Sequence, residues 1–273
     1  MTPIALSIAG SDPSGGAGIQ ADLKTFHRFE VYGTAVITLV TVQNTLGVTR
    51  VEVLAADLVA QQLDAVLCDL RPQAVKTGAL GSAGNIRTVV RAAREHGFPL
   101  VVDPVAAATD GSPFLDAQAF AALRDELLPM ATLITPNLAE AAALTGLPVR
   151  NLDDMHRAAE ALVHLGASAV LLKGGHLEGS ASTDLFYMEG RFVELPASRF
   201  KTRHTHGTGC ALSAAITAGL ARGLTLAQAV AAAKSFVTRA IESNPGLGAG
   251  KGPLNFWAEG KKQRRRSRIA THP

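Results

Sequence analysis

The sequence predicts an α/β fold: a mostly parallel sheet covered by helices on both faces. Two observations lead there. Short apolar runs that read as buried strands alternate with segments of helical period along most of the chain. Five of these runs end in a polar residue, namely Gln43, Lys76, Asp103, Asn137 and Lys173. In open parallel sheets ligands bind beyond the carboxyl ends of the strands.

Ile4 to Ala9 is the first buried strand. It runs into Gly10-Ser11-Asp12-Pro13-Ser14-Gly15-Gly16-Ala17-Gly18, too rich in glycine for regular structure. A helix is expected from Ile19 to Phe29, with Ala21, Leu23 and Phe26 on its apolar side. Ala35 to Val42 is a strand that ends in Gln43-Asn44-Thr45. Leu58, Leu63, Val66 and Leu67 keep a helical period across a helix from Ala56 to Leu70. Ala74-Val75-Lys76-Thr77-Gly78 is a short strand with a polar end, and a helix from Asn85 to His96 stops at Gly97. Pro99 to Val102 is a strand ending in Asp103-Pro104, Ala117 to Leu128 a helix, and Leu133 to Thr135 a strand ending in Pro136-Asn137. A short helix follows, then one from Asp153 to Leu165 with Asn151 as its N-cap. Ala169 to Leu172 is a strand ending in Lys173-Gly174-Gly175. Asp184 to Met188 and Phe192 to Leu195, joined by Glu189-Gly190-Arg191, read as a hairpin. Helices from Cys210 to Arg222 and from Leu226 to Ser243 close one domain, residues 1–257, and residues 258–273 form a basic, disordered tail.

Composition narrows the classes of function. A chain of 273 residues, 47% hydrophobic and 18% charged, suits one large globular domain. Its two cysteines exclude a disulfide framework and suit a reducing compartment, so a cytoplasmic location is expected. No secretory signal and no membrane span are expected, since no apolar run approaches roughly 18 residues. The net charge of +3 comes from the tail: Lys261, Lys262, Arg264, Arg265, Arg266 and Arg268 leave 20 basic against 23 acidic residues elsewhere. A nucleic-acid-binding face on the body is therefore not indicated.

The stretch His204-Thr205-His206-Gly207-Thr208-Gly209-Cys210 precedes a small-residue helix. Glycines let the backbone turn its N–H groups toward one point, and the helix adds its free N–H groups and the positive end of its dipole. The result is a candidate anion hole formed by Gly207, Thr208 and Gly209. Cys210, at the helix start, reads either as a thiol of lowered pKa able to act as a base or as a small buried hydrophobe.

The strand-end residues suit phosphoryl transfer. A lysine neutralises nucleotide phosphates, and acidic and amide oxygens hold Mg²⁺ directly or through water. Asn137 and Glu140 read either as part of such a Mg²⁺ site or as a helix cap with its N3 partner. Lys173, inside an apolar run, needs a phosphate or a neighbouring carboxylate.

Several of these stretches together resemble a known family. Ala9-Gly10-Ser11-Asp12-Pro13-Ser14-Gly15-Gly16-Ala17-Gly18-Ile19-Gln20-Ala21-Asp22 is similar to the N-terminal signature of hydroxymethylpyrimidine and phosphomethylpyrimidine kinases, of the ribokinase-like superfamily. Gln43-Asn44-Thr45, Asp103-Pro104-Val105, Thr135-Pro136-Asn137-Leu138-Ala139-Glu140-Ala141, Lys173-Gly174-Gly175-His176 and Thr205-His206-Gly207-Thr208-Gly209-Cys210 follow in the family's order. The resemblance implies a three-layer α/β/α ribokinase-like fold with no separate lid domain, usually as a homodimer. It implies ATP-dependent phosphorylation of 4-amino-5-hydroxymethyl-2-methylpyrimidine, first to the monophosphate and then to the diphosphate, in thiamine biosynthesis. By position, Asp22, Gln43, Gly10, Ala17 and Val105 would surround the pyrimidine. Cys210 would be the base beside the Gly207–Gly209 loop; Lys173, Asn137, Glu140 and Thr205 would bind ATP, and Asp103 with Glu140 would serve Mg²⁺, partly through water. Ala79 and Ala106 stand where relatives often carry methionine, which implies a roomier pocket, and Thr109-Asp110-Gly111 adds a negative charge near the phosphates. The competing readings are a pyridoxal kinase of the same superfamily and a non-catalytic pyrimidine sensor.

Overall fold

The computed structural model describes residues 2–107, 113–175 and 181–258. Its sheet has nine strands: β1 (Ile4–Ser11), β2 (Tyr32–Asn44), β3 (Gly47–Val53), β4 (Ala74–Thr77), β5 (Leu100–Val102), β6 (Leu133–Ile134), β7 (Ala169–Leu172), β8 (Ala181–Met188) and β9 (Arg191–Ser198). They lie in the order β3-β2-β1-β4-β5-β6-β7-β8-β9. The pairings from β2 through β1, β4, β5 and β6 to β7 are parallel, and antiparallel pairings occur only at the two margins.

The central strands show why the apolar runs carry no polar alternation. Leu100 and Val102 pack on one face of the sheet and Val101 on the other; Val170 and Leu172 oppose Ala169 and Leu171 in the same way. Successive side chains point to opposite faces, so a strand covered on both sides must be apolar throughout.

Helices α2 (Ala56–Asp69), α3 (Ala83–His96), α4 (Ala117–Ala122), α5 (Leu138–Thr145) and α6 (Leu152–His164) cover the first face, contributing Val59, Ile86, Ala119, Ala141 and Met155 to its core. Helices α1 (Gly18–Arg28), α7 (Thr208–Ala221) and α8 (Leu226–Glu242) cover the second. Buried residues appear on every side of α7, from Ala211 to Ala221, which explains why its sequence lacks an amphipathic stripe.

Three departures from the sequence reading have physical causes. Strand β3 was not anticipated; it is an edge strand whose residues are half-buried or exposed, so it lacks the apolar run by which the others were found. The helix expected from Ala117 to Leu128 breaks after Ala122 into a wider turn at Leu123–Leu127 and a tighter one at Leu128–Met130, where Pro129 has no N–H to continue the ladder. The hairpin of β8 and β9 is longer than expected. Glu189 and Gly190, at φ 51° and 74°, form its two-residue turn, the left-handed geometry that matches strand twist. The tail from residue 259 lies outside the described residues, as do His176 and Thr109-Asp110-Gly111.

Candidate active site

All five strand-end residues meet the carboxyl edge of the sheet, and four of them open onto one cavity of about 680 Å³. Gln43, Asp103, Asn137 and Lys173 line it, together with Gly10, Ala17, Val105, Glu140 and the loop Thr205–Cys210. A shallower cleft of about 490 Å³ among Arg87, Arg91, Arg94 and Glu126 lies elsewhere and contains none of these residues.

Lys76 is the exception among the strand ends. Its ammonium is fully buried and lies 2.9 Å from Asp22 Oδ1, while Ser7 Oγ donates to Asp22 Oδ2 at 2.6 Å. Asp22 is fully buried too and does not line the cavity. Both of its carboxylate oxygens are engaged, by Ser7 and by Lys76, and the residue links α1 to β4. Burial alone would lower the Lys76 pKa, but the charge of Asp22, with Asp103 adding to it, raises it above the ordinary lysine value. We therefore read the pair as ionic.

In the cavity wall Lys173 Nζ lies 3.1 Å from Asp103 Oδ1 and 3.8 Å from Glu140 Oε2. The partner it needed is a pair of carboxylates. These hold the Lys173 ammonium charged in spite of its burial. Burial pushes Glu140 upward against the pull of Lys173. Asn137 and Glu140 form a reciprocal capping box at the start of α5, with Asn137 Oδ1 accepting from Glu140 N–H at 2.9 Å and Glu140 Oε2 from Asn137 N–H at 2.7 Å. The helix-cap reading is the one seen here, and the cap also fixes the Glu140 carboxylate 3.8 Å from Lys173 Nζ.

The glycine loop is built as its residues require. Gly207 caps α7 at φ 80°, and a Cβ there would lie 1.7 Å from the Gly16 carbonyl oxygen. Thr208 N–H is used within the loop, by Thr205 O at 3.3 Å. Those of Gly209 and Cys210 have no acceptor among the described residues. They lie in the first turn of α7, where the dipole favours an anion. A Cβ on Gly209 would lie 3.1 Å from Lys173 Nζ, so loop and lysine face the same point.

Cys210, read in the sequence either as a thiol of lowered pKa or as a small buried hydrophobe, is half-buried in the cavity wall. Burial pushes its thiol up to about 12, with Asp22 and Asp103 adding to the rise and Lys76 and the Gly18 N–H only partly offsetting it. A helix N-terminus alone would lower a thiol pKa; here desolvation and two carboxylates outweigh it, which favours the thiol over the thiolate.

The sequence reading also missed four polar wall residues. Asp12 accepts from Ser14 N–H, Ser14 Oγ and Ala17 N–H, and lies 2.8 Å from His206 Nε2, which in turn is 3.2 Å from the Gln43 amide. Asp12 and His206 stood inside quoted motifs but had no visible partner. Asp184 and Lys234 pair at 2.7 Å, and Asp184 also accepts from Gly174 N–H at 3.0 Å, supporting the turn after Lys173. They come from β8 and α8, fifty residues apart, and nothing in the sequence connects them. Of the two small residues expected to widen the pocket, Ala79 lines the cavity and Ala106 does not.

The donor set tests the fit of Mg²⁺. Among the described residues no three His, Cys, Asp or Glu side chains cluster as a self-sufficient metal site. Asp103 and Glu140 outnumber the single ammonium between them. Mg²⁺ is commonly held in that way, by one or two carboxylates with water and nucleotide phosphates completing the shell.

The phosphomethylpyrimidine kinase family model matches residues 12–255. A hydroxymethylpyrimidine/phosphomethylpyrimidine kinase of Rhizobium meliloti is 53% identical over 94% of this chain and 98% of its own. The crystal structure of a Clostridium difficile phosphomethylpyrimidine kinase is 41% identical, with a TM-score of 0.79 over 88% of this chain and all of that one. The Staphylococcus aureus pyridoxal kinase, solved with AMP-PCP and pyridoxal, is 36% identical, with a TM-score of 0.88 over 96% of each chain. With its sheet, strand-end cavity and glycine loop, the chain belongs to the phosphomethylpyrimidine kinase family and has the ribokinase-like fold.

Proposed function

We propose that this phosphotransferase phosphorylates 4-amino-5-hydroxymethyl-2-methylpyrimidine twice, with ATP as donor and Mg²⁺ as its companion ion. The observation that carries this reading is the meeting of the α7 glycine loop with Lys173, Asp103 and Glu140 in one cavity that Gln43 also lines.

Lys173 would neutralise the nucleotide phosphates, with Asn137, Glu140 and Thr205 beside it. Asp103 and Glu140 would hold Mg²⁺, partly through water; the ion supplies charge neutralisation of the phosphates. The N–H groups of Gly209 and Cys210 are directed at charge developing on the transferred group. The acceptor hydroxyl oxygen forms a bond to the γ-phosphorus as the bond to the leaving ADP breaks. In a loose transition state the hydroxyl gives up its proton late, to an oxygen of the transferred phosphoryl group, which suits a site where Cys210 is protonated. In the second step the acceptor is already an anion and needs little deprotonation. The first assay is incubation with ATP, Mg²⁺ and the free pyrimidine alcohol, with the two products followed by mass. Monophosphate followed by diphosphate is expected; bound but unconverted alcohol would favour the sensor reading.

We also place the protein in the cytoplasm as a homodimer. No described helix is long and apolar enough to cross a membrane. Exposed Val40, Val42 and Leu46 give the β2–β3 margin an apolar surface that a second copy could cover.

A further inference from the structure

The Gln43 side chain spans two neighbours: one end of its amide lies 3.2 Å from His206 Nε2 and the other 3.2 Å from Thr41 Oγ1. Which end is oxygen depends on His206. Its Nε2 also lies 2.8 Å from Asp12 Oδ2. That carboxylate already accepts from Ser14 N–H, Ser14 Oγ and Ala17 N–H, so it is ionised and cannot donate. The Asp12 contact therefore requires a proton on His206 Nε2. An amide nitrogen facing the same Nε2 would set N–H against N–H. The two amide orientations have the same shape and differ only in polarity. Only one satisfies every neighbour: the Gln43 oxygen shares the His206 Nε2–H with Asp12, and the Gln43 nitrogen donates to Thr41 Oγ1. The Thr41 hydroxyl is then free to donate to the Ser11 carbonyl oxygen, 3.0 Å away.

We propose that Asp12 and His206 are positioning residues that fix the polarity of the Gln43 amide, and with it the class of acceptor that the cavity selects. His206 and Thr41 occupy the outer flanks of the amide. Its remaining oxygen lone pair and N–H then form a two-point edge toward the cavity, with the acceptor on the His206 side and the donor on the Thr41 side. That edge complements a heteroaromatic ring nitrogen beside an exocyclic amine. With the polarity reversed, the same ring could make both bonds only by turning over, which would carry its hydroxymethyl group away from the glycine loop. His206 is buried, and a Cβ on Gly16 would lie 2.5 Å from its ring, so packing holds the imidazole in place.

The inference rests on the pyrimidine reading of the acceptor. Its test compares the 4-amino pyrimidine alcohol with the analogue carrying hydrogen in place of the amine, in the wild type, His206→Leu and His206→Gln. The wild type is expected to prefer the amino compound by about 10- to 100-fold in kcat/KM, the scale of a two-point hydrogen-bonded contact. His206→Leu should reduce that preference by about 10-fold, mainly through KM, and His206→Gln, whose amide N–H can replace Nε2–H, should restore it. Equal losses on both substrates would mark His206 as structural only and overturn the proposal. Nitrogen NMR of the wild type decides independently of how the variants fold: a protonated Nε2 on His206 is expected, and a bare Nε2 overturns it. A wild type that phosphorylates neither pyrimidine would instead overturn the acceptor reading, and this inference with it.

Discussion

Lys76 Nζ and Asp22 Oδ1 are 2.9 Å apart with no solvent exposure on either side chain, joining β4 to α1 beneath the cavity. Removing one member strands a buried charge, so Lys76→Met should lose about 3–5 kcal/mol of stability in urea unfolding. The double variant Lys76→Met/Asp22→Leu should recover a large part of that loss. A single variant as stable as the wild type would show that the pair is not ionic.

The state of Cys210 can be read by alkylation. With its thiol raised to about 12, it should react with iodoacetamide at neutral pH far more slowly than the exposed Cys68. A general base contributes roughly 100- to 10,000-fold; Cys210→Ser should instead slow the first phosphorylation by less than about 10-fold. Rapid labelling of Cys210 with a larger rate loss would restore it as the base.

Glu140 serves the helix cap and the charge cluster, and two variants separate the roles. Glu140→Gln keeps a side-chain acceptor for the Asn137 N–H. It should unfold near the wild-type midpoint while requiring more Mg²⁺ for half-maximal rate. Asn137→Ala removes the acceptor for the Glu140 N–H and should cost about 1 kcal/mol of stability. The same Mg²⁺ requirement in Glu140→Gln and the wild type would remove the carboxylate from the ion site.

Much of this architecture can be read in the sequence, for reasons that particular residues make clear. Leu100 to Val102 and Ala169 to Leu172 were legible as strands because both faces are buried and no polar residue interrupts them. Lys173, Asp103 and the 207–209 loop were legible because each stands where a strand ends or a helix begins. The burial of Asp22 was not legible because sequence gives no depth: its partner Lys76 lies 54 positions away. The Cys210 thiol stayed open between two readings because burial, which no motif reports, is what opposes the helix dipole.

Acid should weaken the fold partly through Asp12. Burial pushes its carboxyl up, but hydrogen bonds from His206, Ser14 and Ala17 outweigh this and hold it below the unfolded value of 3.8. A group depressed on folding stabilises the protein above its unfolded pKa and loses that contribution as pH falls through the folded value. The stability gap between wild type and Asp12→Asn should therefore be widest near neutral pH and close below 3.8. A gap that widens in acid would reverse the assignment.

Filling space near Gly209 tests the anion hole. Gly209→Ala is compatible with the helix but places a methyl group 3.1 Å from Lys173 Nζ. It should reduce kcat by about 100-fold or more while leaving the unfolding midpoint close to that of the wild type. A kcat near the wild-type value would move phosphoryl transfer away from this loop.

The most direct measurement is competition: equal concentrations of the 4-amino pyrimidine alcohol and pyridoxal with ATP and Mg²⁺, with each phosphorylated product quantified by mass. The pyrimidine monophosphate is expected to form faster and to be carried on to the diphosphate. Pyridoxal phosphate forming equally fast or faster would contradict it, leaving the fold and the transfer chemistry in place but assigning the cavity to another acceptor.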